Sequence, residues 1–324
     1  MTELTTTRAA AGRFVELPPP PASRAVPARG PGPRRRLARG VTPYLYVLPA
    51  LAGMVIWIYL PLVQTFQLSF YDWNLLPTTP ARPAGLSNYT EVLGLPEIGR
   101  ATVNTVVYVL GLLPFTLLLP LAITLASQRV TGRARAFYRA AIFTPFLMAP
   151  VASAIVWRWL LEPQGGLVNR VLGVEVNWLR EPDLALAAIT VMVGWQLLGF
   201  AVLVISAGLS GISPDYADAA RVDGATTGQI TWRITLPLLS PTLLLMALLT
   251  VLAAAQLVFP LINTLTQGGP GDATTNLYYL LYETAFTSFD VGRASAAGVL
   301  FFGAFGVFAV AAVWLLDRWS FHDD

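Results

Sequence analysis

The sequence lacks two residue types on which many chemical functions depend. Its 324 residues include no cysteine and no lysine, and the only histidine, His322, lies at the C-terminal end. The absence of cysteine excludes disulfides, Cys-ligated zinc and thiol catalysis. One terminal histidine excludes a His-based triad or a multi-histidine metal site within the fold. A standard P-loop needs a lysine to reach the β and γ phosphates, so any ATP that drives the function must bind to another subunit.

Charge is also scarce. Charged residues make up 12% of the chain and hydrophobic residues 55%, with a mean hydropathy of +0.60. A soluble domain carries roughly twice this charged fraction. The acidic residues lie between the apolar stretches without catalytic or metal-site spacing, so a membrane-embedded enzyme is the least favoured alternative. The stretches themselves contain no Asp, Glu or His that could carry a coupling ion, which argues against an ion-coupled secondary transporter.

Six apolar stretches are each close to the roughly 20 residues that span about 30 Å of hydrocarbon as a helix. The alternating pattern of a β-barrel is absent, and prolines inside the stretches predict kinks rather than breaks. The sequence therefore predicts an all-α membrane protein with six transmembrane helices. The predicted spans are Tyr44 to Phe70, Thr102 to Ala126, Ala140 to Leu161, Leu186 to Leu209, Pro241 to Ile262 and Ala294 to Leu316.

The first 42 residues differ from the rest of the chain. They are rich in Pro, Ala, Gly and Arg and show no apolar periodicity, so residues 1–42 are predicted to form a disordered cytoplasmic tail. The apolar run that follows is too long for the core of a cleavable signal peptide. Residues 43–324 are predicted to form the transmembrane domain.

The arginine distribution predicts the orientation in the membrane. With the N-terminus in the cytoplasm, 15 arginines lie on the cytoplasmic side and five on the opposite side. The positive-inside rule then favours both termini in the cytoplasm. The remaining arginine, Arg158, lies near the outer end of the third span, beside Trp157 and Trp159. We interpret it as a snorkelling side chain in an aromatic belt, with contact to a substrate as the alternative.

A polar block, DAARVDGATTGQITWRITLP, lies between the fourth and fifth spans on the predicted cytoplasmic side. Ser213 is a good helix N-cap, followed by a proline in the first turn, and a short helix is predicted from Pro214 to about Val222. Gly224 is placed to end this helix in the left-handed conformation. Thr226 or Thr227 can cap a second short helix, with Pro237 and Pro241 marking re-entry into the membrane.

This block resembles the cytoplasmic EAA loop of bacterial ABC importer permeases, the loop that docks on the ATP-hydrolysing subunit. The family pattern normally has glutamate where this chain has Asp218, which keeps the charge but reaches less far. By this resemblance, a rigid helix in the loop transmits movements of the ATPase to the spans. The residues that match the pattern are Asp218, Ala219, Ala220, Gly224, Ile234, Leu236 and Pro237.

A second motif follows the fifth span, LTQGGPGDATTNLYYLLYETAF, from Leu265 to Phe286. It is similar to a signature of carbohydrate-importer permeases of the maltose type, with Gly268, Gly269 and Pro270 forming a tight external turn. The segment from Thr274 to Phe286 is expected to rest on the membrane surface or to meet an external binding protein.

These resemblances imply an assembly and a location. They imply a second homologous permease, two ATP-binding subunits that hold ATP and Mg²⁺, and an extracellular or periplasmic solute-binding protein. They place the chain in the bacterial cytoplasmic membrane, in contact with lipid, with no nucleic-acid partner and with no metal, cofactor or catalytic residue of its own.

Aromatic, amide and hydroxyl side chains within the spans are the expected sugar contacts, because sugars bind to aromatic faces and to hydrogen-bonding groups. The absence of Asp, Glu and Lys from the span interiors argues for a neutral cargo, with glycerol phosphate or another polyol as the alternative. Each glutamine has an equally plain role as a hydrogen-bonding contact between helices. The best candidates are Trp195, Gln196, Phe200, Gln256, Phe259 and Asn263, and the weaker ones are Asn104, Gln64 and Gln67.

Overall fold

The computed structural model describes residues 44, 46–74, 78, 80–127 and 132–319, and this part of the chain is mostly helical. The chain divides after Tyr59 into two units. In the first unit, the described residues 44 and 46–59 are helical; the contacts reported below all lie within the second unit. The tail predicted at 1–42 lies outside the described residues, and its disorder remains a prediction.

Eleven helices and one two-stranded ribbon make up the described chain. In order they are α1 (Tyr46–Leu68), β1 (Tyr71–Asp72), β2 (Arg82–Pro83), α2 (Ser87–Gly94), α3 (Pro96–Ser127), α4 (Gly132–Leu147), α5 (Pro150–Leu160), α6 (Leu167–Leu172), α7 (Pro182–Ser210), α8 (Pro214–Val222), α9 (Thr227–Thr266), α10 (Leu277–Tyr282) and α11 (Val291–Trp319). Wider π-helical turns occur at Val55–Tyr59, Pro114–Leu118, Thr231–Thr235, Ile262–Thr266 and Glu283–Thr287, and α4 ends in a 3₁₀ turn at Thr144–Leu147.

Among the described residues, five helices are long and apolar enough to cross a membrane: α1, α3, α7, α9 and residues Val291–Ala311 of α11. A sixth crossing results only if α4 and α5 together count as one span. The membrane-spanning, all-α class is therefore confirmed, and the count of six stays a prediction.

The third predicted span is not one kinked helix, because α4 and α5 meet at an angle of 98°. Met148 and Ala149 between them are extended, with ψ angles of 136° and 130°. Pro150 disfavours the helical conformation in the residue before it and has no N–H to donate. The expectation that prolines only kink the spans is wrong at this position.

Other prolines are accommodated without a break. Pro120 and Pro237 each follow a π-helical turn that contains the residue four positions earlier, Thr116 or Arg233. A wider turn separates that residue's carbonyl from the proline ring, which would clash with it in a regular helix. The second short helix predicted after Thr226 is therefore not separate: it forms the first turns of α9, which continues through Pro241 and has a non-helical turn at residues 257–258. Re-entry into the membrane at Pro237 and Pro241 stays a prediction.

Helix α7 lies at the centre of the bundle. Of its apolar window 61% is buried, against 22% for α3 and 28% for α9. Three glycines allow neighbouring helices to approach it closely. A Cβ at Gly194 would clash with Phe115, one at Gly199 with the α4 backbone, and one at Gly208 with Thr242. Small residues at such crossings give the close packing on which helix association in membranes depends.

The connections on one side of the bundle meet at one end, which we call the turn end. The ribbon pairs Asp72 with Arg82, and the amide of Val291 bonds to the carbonyl of Trp73 at 3.0 Å. Residues 161–181 and 267–290 lie at the same end. The opposite end holds α8 and is called the coupling end.

Candidate functional site

The predicted helix at the coupling end is observed as α8, Pro214–Val222. The Ser213 hydroxyl accepts a hydrogen bond from the amide of Asp215 at 3.3 Å, and Pro214 occupies the first turn. This cap satisfies one of the amides that a helix N-terminus leaves unpaired, and the carboxylate favours the positive end of the helix dipole. The first end of α8 is therefore fixed by its own sequence.

The second end of α8 is fixed by Gly224. Its φ of +82° is left-handed, as predicted. Its amide bonds to the carbonyl of Arg221 at 3.0 Å, and the amide of Ala225 bonds to that of Ala220 at 2.9 Å. These two bonds form a Schellman motif, which closes a helix sharply.

Helix α9 begins directly after this turn. Thr226 caps it and forms a reciprocal capping box with Gln229, while Ile230 is buried and anchors its first turn. Of the residues predicted to couple, Ile234, Leu236 and Pro237 lie half-buried on α9 itself. The chain thus passes from α8 into a membrane-spanning helix through a tight, capped turn.

Much of the surface of α8 and of the first turns of α9 is open. Asp218 and Arg221 form an exposed ion pair, and Ala219 is exposed while Ala220 is half-buried. Two apolar side chains are also open to solvent: Val222 is 88% exposed and Trp232 is 74% exposed. Exposed apolar groups within a charged surround are typical of a protein-interaction surface.

At the turn end, the predicted turn directly follows α9. Gln267, Gly268 and Gly271 are left-handed, with φ angles of 50°, 82° and 55°, and the Gly269–Pro270 peptide is cis. A Cβ at Gly268 would lie 2.6 Å from the Thr275 hydroxyl. Glycine at Gly268 is therefore required by both the backbone and the packing.

Asn104 holds this turn in place. Its side-chain amide donates to the carbonyls of Asp272 and Thr275, both at 2.9 Å. The nearby Tyr108 hydroxyl donates to the carbonyl of Thr274 at 3.1 Å. Asn104 is a weaker candidate for sugar contact, and its donors are instead used to fix the glycine-rich turn.

The segment after the turn is buried in its first part. Thr274, Thr275 and Asn276 are at most 2% exposed. Asn276 caps α10 by accepting from the amide of Tyr279 at 2.8 Å and donates to the carbonyl of Ala254 on α9 at 3.0 Å. The expectation that this segment rests on the membrane surface is therefore wrong for its first residues, which pack inside the bundle.

The six best substrate-path candidates do not form one cluster. Phe200 and Gln256 line a cavity of about 290 Å³, where Phe146 stacks on Phe200 with ring centroids 4.8 Å apart. Phe259 lines a different cavity of about 420 Å³. Three tyrosines and a phenylalanine on and after α10 continue that aromatic cluster: Tyr278, Tyr279, Tyr282 and Phe286.

The other three candidates line neither cavity. Gln196 is buried and donates to the carbonyl of Met148 at 3.3 Å. This bond satisfies a backbone carbonyl at the break between α4 and α5. Gln196 therefore has the alternative role, a hydrogen-bonding contact between helices. Trp195 packs edge-on against Trp157, and Asn263 is exposed near the end of α9.

A polar cavity of about 680 Å³ lies at the turn end, between the end of α5, residues 177–180 and the turn. Arg158 lines it and donates from its guanidinium to the carbonyl of Thr264. Its neighbour Trp159 is exposed, as in an aromatic belt, so both interpretations of Arg158 remain open. Near the turn, burial raises the pKa of Glu283, and the charges of Asp272 and Glu97 raise it further.

Two parts of the site were missed by sequence reasoning. The sequence analysis does not predict Phe146 as a cavity residue. Its aromatic side chain within an apolar run was the available signal for a sugar contact. The buried triplet Thr274–Asn276 gave a weaker signal, three small polar residues after a glycine-rich turn. Across the described residues, no three His, Asp or Glu side chains form a metal-binding group, so the absence of metal stays a prediction for the whole chain.

Comparisons with known proteins agree with this architecture. Residues 93–321, more than two thirds of the chain, match the family described as "Binding-protein-dependent transport system inner membrane component". The chain is 34% identical to the trehalose/maltose transport system permease protein MalF of Thermococcus litoralis, over 80% of this chain and 88% of that one. It is 28% identical to the sn-glycerol-3-phosphate transport system permease protein UgpA of Brucella abortus, over 80% and 89%.

A solved structure has the same fold. It is the bacterial alginate ABC transporter in complex with an alginate pentasaccharide-bound periplasmic protein, matched with a TM-score of 0.73 at 23% identity over 87% of this chain and 98% of that one. The chain therefore belongs to the family of binding-protein-dependent transport system inner membrane components, among the permeases of ABC transporters.

Proposed function

We propose that this chain is one of two pore-forming subunits of an ATP-driven importer and that it carries a sugar, favoured to be a di- or oligosaccharide. A second, homologous permease, two ATP-binding subunits with ATP and Mg²⁺, and a solute-binding protein complete the importer. The chain itself performs no covalent chemistry and binds no cofactor. The trehalose/maltose relative supports a sugar cargo, and the sn-glycerol-3-phosphate relative keeps a polyol phosphate as the second candidate.

The observation that carries this proposal is the junction of α8 with α9. Helix α9 has 40 residues, about 60 Å at 1.5 Å per residue, which is about twice the thickness of the hydrocarbon. Its first turns therefore extend beyond the membrane and support α8 there. Because α8 is capped at both ends, a force on it is passed to α9 rather than absorbed by a flexible loop.

The exposed surface of α8 is the proposed ATPase contact. Ala219 keeps the helix slim enough to enter a groove, while Asp218 and Arg221 present mixed charge. Val222 and Trp232 add apolar area that binding would bury. Closure of two ATPases around ATP would move both permeases and open the path for the cargo.

The proposed orientation places the coupling end in the cytoplasm and the turn end outside. Since the chain contains no cysteine, single-cysteine variants report accessibility without background. We expect an impermeant maleimide to label Val222→Cys only in inside-out vesicles and Val171→Cys, on α6, only in right-side-out vesicles; both side chains are at least 75% exposed. Labelling of Val222→Cys from outside would overturn the orientation and the ATPase contact with it.

The transport role is tested in proteoliposomes that contain the permease pair, the ATPase and the solute-binding protein. We expect uptake of the sugar that the binding protein retains to require ATP on the cytoplasmic side of the complex, where the ATPase subunits lie. We expect Asp218→Lys to lower both uptake and stimulated ATP hydrolysis, because it places like charge beside Arg221. Full coupled uptake without a bound ATPase would contradict the proposal.

A further inference from the structure

The polar cavity at the turn end contains charge that the protein does not neutralise. We call this cavity the outer vestibule; its polar lining consists of Arg158, Glu162, Asn177, Arg180 and Thr266, beside Pro270. Two arginines against one glutamate give a formal charge of +1. A concave site with net positive charge focuses the electrostatic field and so favours a small anionic ligand.

Two of the four other arginines at the turn end are paired, and the remaining two, Arg82 and Arg170, do not line this cavity. Arg100 lies 3.8 Å from the carboxylate of Asp272, and Arg293 pairs with Glu91 and Asp290. In the part of the chain that the structure describes, neither vestibule arginine forms an ion pair. Paired arginines are explained by structure; the two in the vestibule have their charge available for a ligand.

Arg158 is held in position while most of its donors stay free. Its single bond to the carbonyl of Thr264 ties the guanidinium to the end of α9. A guanidinium has five N–H donors in a rigid fork that matches the oxygens of a carboxylate, sulfonate or phosphate. Prior fixation lowers the entropy that binding would otherwise cost.

We propose that the outer vestibule binds the acidic group of an anionic sugar before the sugar enters the membrane path. This inference rests on the proposed transport function and deepens it by naming acidic saccharides as the cargo class. Arg158 and Arg180 hold the acidic group, and Asn177 offers neutral hydrogen bonds to hydroxyls, while the Thr266 hydroxyl already bonds to Ile262 and Thr274. The volume of about 680 Å³ lies within the range of about 300–1,000 Å³ that small-molecule sites occupy.

The vestibule also revises the expectation of a neutral cargo. That expectation rests on the span interiors, which contain no Asp, Glu or Lys. The vestibule arginines lie at the mouth, where a charge is recognised without being buried in lipid. An uncharged path behind a positive mouth accepts an acidic sugar whose charge is carried by one end of the molecule.

The test is a binding measurement on the full chain in phosphatidylcholine nanodiscs, by titration calorimetry with glucuronate, glucose and inorganic phosphate. We expect glucuronate to bind about tenfold more tightly than glucose, since a charge-assisted hydrogen bond is about twice as strong as a neutral one, and also more tightly than phosphate. Arg158→Gln and Arg180→Gln should each weaken glucuronate binding about fivefold or more. The matched control is Arg170→Gln, an exposed arginine of α6 outside the vestibule lining, which should leave binding unchanged.

Several results would overturn the inference. Equal binding of glucose and glucuronate, or of phosphate and glucuronate, would remove the acidic sugar as ligand. Equal loss in Arg170→Gln would indicate a diffuse surface charge. If both vestibule variants bind glucuronate normally but weaken the solute-binding protein, the charges serve protein docking instead.

The design keeps folding and transport separate from binding. Should Arg158→Gln fail to fold because the Thr264 contact is lost, Arg180→Gln still decides the question, because the Arg180 side chain forms no hydrogen bond or ion pair with another described residue. The assay contains no ATPase. Failure of ATP-driven uptake would therefore contradict the transport function and with it the cargo class, but not the binding of an acidic sugar, whereas failure to bind glucuronate would contradict this inference alone.

Discussion

The side chain of Asn104 bonds to the backbone carbonyl of Thr275 across 171 residues of sequence, at 2.9 Å. This contact joins α3 to the start of α10 at the turn end. With the second bond to Asp272, one buried amide fixes two positions of the segment that directly follows the glycine-rich turn. The turn is thus a rigid feature, held by α3 rather than by its own residues alone.

Replacing Asn104 with leucine keeps its volume and removes both donors. We expect Asn104→Leu to lower the free energy of unfolding by about 1–3 kcal/mol, because the buried carbonyl of Thr275 is left unpaired, whereas the carbonyl of Asp272 still accepts from the amide of Thr275. A thermal unfolding midpoint in detergent measures this. Asn263→Leu, at an exposed position near the same end of the bundle, is the control, and an equal shift in both variants would contradict the anchoring role.

Gly199 tests the close contact of α7 with α4. A Cβ there would lie 2.7 Å from the Cα of Phe143 and closer still to the carbonyl of Ile142. Because these neighbours are backbone atoms, we expect Gly199→Ala to destabilise the protein by about 1–3 kcal/mol.

The matched control for this change is Gly303→Ala on α11, where a Cβ meets nothing within 4 Å. Alanine at that site should be neutral or stabilising, since glycine costs up to about 1 kcal/mol in a helix. Comparable thermal midpoints for the two variants would show that α4 and α7 are not closely packed.

The features that the sequence predicts well are those fixed by near neighbours. Ser213 and Gly224 define α8 because helix caps depend on a few adjacent residues. The long apolar runs define the spans for the same reason. The position of the segment after α9 is predicted less well. Its first residues are buried rather than on the membrane surface, because Asn276 bonds to Ala254, more than 20 residues earlier on α9.

Features that depend on tertiary partners could not be predicted. A proline bends or breaks a helix according to what satisfies the freed backbone groups. At the α4–α5 break, Gln196 on α7 donates to the carbonyl of Met148. No local sequence pattern predicts that contact, because the two residues are 48 positions apart. The same reasoning applies to Asn104, whose partners lie in a loop more than 160 residues away.

The cavity between Phe200 and Gln256 tests the proposed sugar path. We expect Phe200→Ala and Gln256→Ala each to raise the sugar concentration for half-maximal uptake about tenfold. The reason is that one aromatic or amide contact contributes about 1–2 kcal/mol to the binding free energy. ATP hydrolysis stimulated by the binding protein should persist. Asn263→Ala is the comparison, and an equal effect there would place the path elsewhere.

Glu283 predicts a pH dependence of stability. Its folded-state pKa is raised by burial, then by Asp272 and Glu97, so the folded state binds a proton more tightly than the unfolded state does. This contribution to stability is fully present below the ordinary pKa of 4.5 and is lost as pH rises through the raised pKa.

We therefore expect Glu283→Gln to raise the thermal midpoint at pH 7 and to leave it nearly unchanged at pH 4. The control is Glu175→Gln, at an exposed position, which should shift neither value. A midpoint of Glu283→Gln below that of the natural protein at pH 7 would show that the carboxylate stabilises the fold there.

The most direct test of force transmission through α8 compares one substitution at two glycines. Gly224 is left-handed and Gly228 is helical, and a Cβ meets nothing within 4 Å at either site. Alanine therefore adds left-handed strain of about 1–2 kcal/mol at Gly224 alone. In proteoliposomes with the ATPase and the solute-binding protein, we predict that Gly224→Ala lowers stimulated ATP hydrolysis several-fold while Gly228→Ala retains it; equal activity in the two variants would contradict the account.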